Sequence, residues 1–215
     1  MESLNGTILL VIKRNVFMKF LYLIFIFFVF MGASIAKELT GDDIFDIKQN
    51  AFALYNTNHI NEAYEMLNKI PNDKKDEEIY LILANIEQDK NKENEAIKNL
   101  KLAIQKKPEF YKPYYNLGCI FMKRRIYPLA IENFELAKKY NKENAYIFYN
   151  LGCAYMNAGD FKKAKKNFIK AIYLKNDEKS FYYNLAYVNK KLGKEKDSKK
   201  IIDFYNQTFI ENKAN

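Results

Sequence analysis

From residue 77 onward the apolar positions return on a fixed period. Tyr114-Tyr-Asn-Leu-Gly-Cys119, Phe148-Tyr-Asn-Leu-Gly-Cys153 and Tyr182-Tyr-Asn-Leu-Ala-Tyr187 lie 34 residues apart, and Tyr80-Leu-Ile-Leu-Ala-Asn85 sits one period upstream. The register continues through Ala96, Ala130 and Ala164, then Leu100, Phe134, Phe168 and Ile202, then Ala103, Ala137 and Ala171. Within one unit Leu117, Gly118 and Phe121 recur at helical spacing, and so do Ala130, Phe134 and Ala137. Each unit is thus predicted to be two antiparallel helices, neither of which can bury its apolar stripe without a neighbour. The small residues let the backbones approach, and the aromatics fill what remains. Gly159-Asp160 and Gly193-Lys194 mark predicted turns between helices, where glycine takes a positive φ without steric cost.

The columns resemble the tetratricopeptide repeat: an aromatic, then Leu and a small residue, then Ala, an aromatic and Ala. The resemblance implies an all-α, right-handed superhelical solenoid of antiparallel helix hairpins. It divides the chain into four units, 77–110, 111–144, 145–178 and 179–212, behind a degenerate first repeat over 37–76 that keeps Ala63 and Leu67 and breaks at Pro71. There are departures. Glu87 and Asn189 stand in a column that is Phe121 and Tyr155 in the central units, while Ser198 and Tyr205 replace alanines in the last. Less regular packing is expected at those edges. The polar residues from Glu195 onward suit a helix that caps the array.

The resemblance also implies that first-helix residues line a concave groove for a peptide or protein segment. Carried onto this chain, the groove is Asn85, Tyr115, Asn116, Cys119, Met122, Tyr149, Asn150, Cys153, Met156, Tyr183, Asn184 and Tyr187. Asn116, Asn150 and Asn184 are candidates for an amide ladder along a bound backbone, since an amide both donates and accepts. The tyrosines would clasp side chains. A clamp for an acidic chaperone tail is excluded, because Leu81, Tyr146 and Asn150 stand where its cations belong.

The N-terminal segment has a different pattern. Lys13, Arg14 and Lys19 precede an unbroken apolar run from Phe20 to Met31, then Gly32, Ala33, Ser34, Ile35 and Ala36. This predicts residues 1–36 to be either a secretory signal peptide or an uncleaved membrane anchor, with Met18 an alternative start. As a helix, residues 20–36 reach about 25 Å against a hydrocarbon core of about 30 Å. Either reading puts residue 37 onward outside the cytoplasm, so the expected location is secreted or periplasmic, with residues 20–36 as the anchor in the second case.

The net charge of +9 is almost all lysine beside three arginines, the mark of an AT-rich coding sequence, and is read as solvated helix faces. Nucleic acid is therefore not expected as a partner. Lys162, Lys163, Lys165, Lys166 and Lys170 crowd one second helix, a candidate contact for anionic headgroups at about 1 kcal/mol per lysine. Cys119 and Cys153 occupy one column in neighbouring units, too far apart for a bridge if the helices pack at about 8–10 Å. His59 stands alone, and no phosphate loop, metal-ligand spacing, cofactor motif or nucleophile elbow occurs. The chain is read as a non-catalytic, extracytoplasmic interaction module. The alternative is a membrane-anchored structural subunit that oligomerises through its repeat edges, or accompanies an envelope enzyme.

Overall fold

The structure is a computed structural model, and it describes residues 18–19, 22–24 and 39–210. The chain divides into two compact units, Met1–Asp46 and Ile47–Asn215. The described residues of the predicted signal or anchor are Met18, Lys19, Tyr22, Leu23 and Phe-flanked Ile24 alone, so that expectation falls almost wholly outside them.

Ten helices carry the fold among the described residues: α1 (Gly41–Asn56), α2 (Ile60–Asn68), α3 (Glu77–Asp89), α4 (Glu93–Lys106), α5 (Tyr111–Lys123), α6 (Tyr127–Tyr140), α7 (Ala145–Asn157), α8 (Phe161–Leu174), α9 (Lys179–Lys191) and α10 (Glu195–Phe209). Pro71 begins a short 3-10 turn, Asn72–Lys74, between α2 and α3. From α3 onward, consecutive helices pack as hairpins, and each second helix also packs on the first helix of the next hairpin. The result is an all-α solenoid of paired helices.

Local chemistry sets the helix boundaries. Asp76, Asn144 and Asp160 accept backbone N–H groups at the starts of α3, α7 and α8, and Pro128 enters α6 where no intrahelical donor is needed. Every hairpin turn reverses through one left-handed residue: Asn58, Asn91, Arg125, Gly159 and Gly193, with φ between 58° and 85°. At each, the next N–H reaches back to the carbonyl five residues earlier, as in Ile126 N–H to Phe121 O at 2.9 Å and Asp160 N–H to Tyr155 O at 2.9 Å. Two of the five turns use the glycine that the sequence advertises; the others hold the same geometry with Asn or Arg.

The core repeats with the turn. Ala130, Phe134, Leu151 and Ala154 form one buried cluster, and Ala164, Phe168, Leu185 and Val188 the next. Gly118 is required by contact: a Cβ there would lie 2.5 Å from the Phe134 ring, and one at Gly152 would lie 2.8 Å from Phe168. In the flanking hairpins the small residue grows and the large one shrinks, to Ala84 with Leu100 and Ala186 with Ile202. Tyr80, Tyr114 and Tyr182 each donate their hydroxyl to a carbonyl of the preceding loop, at 3.0, 2.9 and 2.8 Å, and so tie one hairpin to the next.

Candidate functional site

The groove columns fall on the first helices α3, α5, α7 and α9. Asn85, Tyr115, Asn116, Cys119, Met122, Tyr149, Asn150, Cys153, Met156 and Asn184 are half-buried, whereas Tyr183 and Tyr187 are 41% and 47% exposed. The amides do form a row, and its bonds run between hairpins. Asn116 Nδ2 donates to Asn85 Oδ1 at 2.7 Å, Asn150 Nδ2 to the Tyr115 hydroxyl at 2.7 Å, and Asn184 Nδ2 to the Tyr149 hydroxyl at 3.0 Å. Burial pushes the Tyr115 and Tyr149 hydroxyls above the usual phenol range, so they stay neutral. The tyrosines are equally engaged: Tyr149 stacks on Phe181 at 4.6 Å and lies against Phe168 at 5.8 Å. One N–H of each asparagine is thus already committed to holding the array together. The signal was present in the sequence as a Tyr followed 35 residues later by an Asn, twice over.

Cys119 and Cys153 are both free. Burial raises each thiol to about 11, against which hydrogen bonds from Tyr115 and from Tyr149 and Asn184 act only in part. Both are therefore uncharged thiols at neutral pH and poor nucleophiles. His59 is exposed at the start of α2, with Nδ1 3.0 Å from Thr57 Oγ1. Among the described residues no cluster of His, Cys, Asp and Glu could hold a metal ion.

Three of the four departures from the repeat, Glu87, Asn189 and Tyr205, are buried. Glu87 accepts from Asn99 Nδ2 at 2.8 Å, and Asn189 accepts from Lys165 Nζ at 2.7 Å. The polar residues in the aromatic column are thus satisfied across helices rather than loosely packed. In the last hairpin Tyr205 occupies the place of Ala137 and Ala171. Its ring sits among Tyr182, Phe209 and Tyr183, with centroids at 5.1, 5.2 and 6.3 Å. Beside it lies an apolar cleft of about 250 Å³ between α8, α9 and α10, lined by Ile169, Ile172, Tyr182, Leu185, Lys200, Ile201 and Phe204. Phe204 is 53% exposed at its edge.

The sequence pattern of the tetratricopeptide repeat matches residues 145–178, which are α7 and α8 with the loop that follows. Among solved structures the fold is shared with MamA 41-end from Desulfovibrio magneticus RS-1, at 18% identity and a TM-score of 0.70, covering 79% of this chain and 96% of that one. It is shared with MamA AMB-1 in space group P212121 (18% identity, TM-score 0.67, 79% of this chain and 93% of that one). MamA MSR-1 in space group C2 has 21% identity and a TM-score of 0.64, over 76% of this chain and 95% of that one. No curated protein sequence matches.

The chain is a helical-repeat protein, and residues 145–178 match the tetratricopeptide repeat.

These neighbours correct the expected compartment. Residue 37 onward was placed outside the cytoplasm, as a secreted or periplasmic protein with residues 20–36 as signal or anchor. MamA is not a secreted or periplasmic protein, and among the described residues no helix is long and apolar enough to cross a membrane. The secreted, periplasmic and signal assignments are withdrawn. The physical reason is that a basic flank orients the domain behind it only where the apolar segment inserts across the membrane, and residues 20–36, at about 25 Å, are shorter than a hydrocarbon core of about 30 Å.

Proposed function

We propose that this helical-repeat protein is a non-catalytic scaffold that associates with copies of itself through the end of its array. The observation that carries the reading is the contrast between middle and end. In the middle hairpins the row of asparagines and tyrosines is closed on itself, so the amides expected to read a guest backbone already bridge neighbours. At the last hairpin the same columns stand open in Tyr183 and Tyr187, and the cleft beside Tyr205 leaves Phe204 in solvent. Aromatic surface at an array end is the kind of patch that marks an interaction site. The shared fold with the MamA structures is consistent with a structural role.

A groove that takes a peptide is the second reading, favoured by the exposed Tyr183 and Tyr187. It now carries a cost: replacing Asn116, Asn150 and Asn184 with alanine removes bonds between hairpins, each of about 1 kcal/mol, and so weakens the array as well as the groove.

Light scattering on the full-length chain in a monodisperse non-ionic detergent tests self-association. The mean mass per particle, corrected for detergent, should rise with protein concentration. A mass that stays at one chain throughout contradicts the scaffold reading.

A further inference from the structure

Resting on that self-association, we infer which surfaces meet: the cleft between α8, α9 and α10 receives helix α1 of a second copy. The cleft is apolar inside and basic outside. Its floor is Ile172, Leu185 and Ile201, and Lys200 lies at its rim. Helix α8, which forms one wall, carries Lys162, Lys163, Lys165, Lys166 and Lys170 and no acidic residue, unlike α4, α6 and α10. Lys163 is paired with Asp160 and Lys165 with Asn189, while Lys162 and Lys166 face solvent. An occupant must therefore offer apolar knobs flanked by negative charge.

Helix α1 has that chemistry. Phe45 and Phe52 are 57% and 50% exposed, and their spacing of seven residues puts them two turns apart on one face of a helix. Asp42 and Asp46 flank that face and are exposed. The lone cation of α1, Lys48, is held by Asp76 and Glu78 at 2.9 and 2.8 Å. Anchors at this spacing are how an amphipathic helix lies in an apolar groove. A pairing between two like clefts is disfavoured, since it would bring Lys162, Lys166 and Lys200 against themselves. The contact is heterologous, head to tail, and it propagates rather than closing on a dimer unless the rotation makes a ring.

The test uses two full-length variants, Phe52→Asp and Phe204→Asp, in sedimentation velocity with circular dichroism as the check on folding. Each variant alone should be a monomer, with self-association weakened about tenfold or more. Mixed in equal amounts they should form a dimer and nothing larger, because each supplies the half that the other lacks. A second pair, Asp42→Lys with Asp46→Lys and Lys166→Glu with Lys200→Glu, should be weak alone and, when mixed, should regain the wild-type association beyond a dimer, because each variant's helix then suits the other's cleft. If the wild type is a monomer at every concentration, the scaffold reading itself falls. If the wild type assembles but either aspartate variant assembles equally well, or the mixture stays monomeric, this interface is wrong and self-association stands. Anionic phosphatidylserine vesicles form the last arm. Vesicle binding by the wild type that disappears in Phe204→Asp assigns the cleft to a lipid surface and overturns the proposal.

Discussion

The hairpins α5/α6 and α7/α8 differ from the last one, α9/α10, though all share one 34-residue frame. In the central pair a glycine faces a fully buried phenylalanine, and the contact admits no Cβ. In the last hairpin the same register positions hold Ala186 and the half-buried Ile202. The central hairpins keep Ala137 and Ala171 where the last has Tyr205, and their Tyr115 and Tyr149 are bonded by the next hairpin's asparagine, whereas Tyr183 stands 41% exposed. The comparison teaches that a repeat is held by pairs of columns rather than by single ones. A small residue can grow only if its partner shrinks, and in the last hairpin, where Tyr205 takes an alanine's place, an apolar cleft and the exposed Phe204 lie alongside.

Truncating the large member should separate the two regions most. Phe134→Ala empties a fully buried site and should cost about 4 kcal/mol, while Ile202→Ala, at a half-covered site, should cost about 1 kcal/mol. Chemical denaturation of both variants checks the difference; equal losses would mean that the last hairpin is packed as firmly as the central ones.

The next effect sharpens the pairing. Gly118→Ala forces a methyl against the Phe134 ring and should cost about 2 kcal/mol. Adding Phe134→Leu, which recreates the Ala84 and Leu100 pair of the α3/α4 hairpin, should recover part of that loss. The coupling in a double-mutant cycle is the readout, and strict additivity would dissolve the column-pair account.

The smallest effect concerns an outer column. Burial lifts the Glu87 carboxyl above its usual value of 4.5, opposed in part by the Asn99 hydrogen bond. The folded chain then holds this proton more tightly than the unfolded chain. Stability from this group is thus fully present below 4.5 and is lost as pH rises through the raised value. Glu87→Gln keeps an oxygen for Asn99 and should be more stable than the parent at neutral pH, with the advantage fading as pH falls through the raised value and gone below 4.5. Thermal melts across that range give the sign directly.

Much of this was legible in the residues. Ala130, Phe134 and Ala137 show the second-helix face because helical spacing and a common period coincide there. Asn91 and Arg125 were not recognisable as turn residues, since their left-handed φ is imposed by the hairpin and only Gly159 and Gly193 announce it by type. The sequence sets Asn150 in one column with Asn116 and Asn184, but its bond partner sits in the preceding hairpin, where no single-unit pattern looks. Glu87 and Asn189 read as blemishes because a column shows what is missing and not what compensates; Asn99 and Lys165 lie on other helices. Tyr205 is visible as a departure, yet the cleft near it is made by the way α8, α9 and α10 pack together, which no column shows.

Hydrogen exchange at several protein concentrations puts the contrast between centre and end to the most direct test. Amides of α5 to α8 should exchange slowly and at rates independent of concentration. Those of α10 should exchange fastest in dilute solution and become protected, together with α1, as concentration rises. Exchange in α10 that is already as slow as in α7 when dilute, or that stays the same at every concentration, would contradict an open end that is covered by another copy.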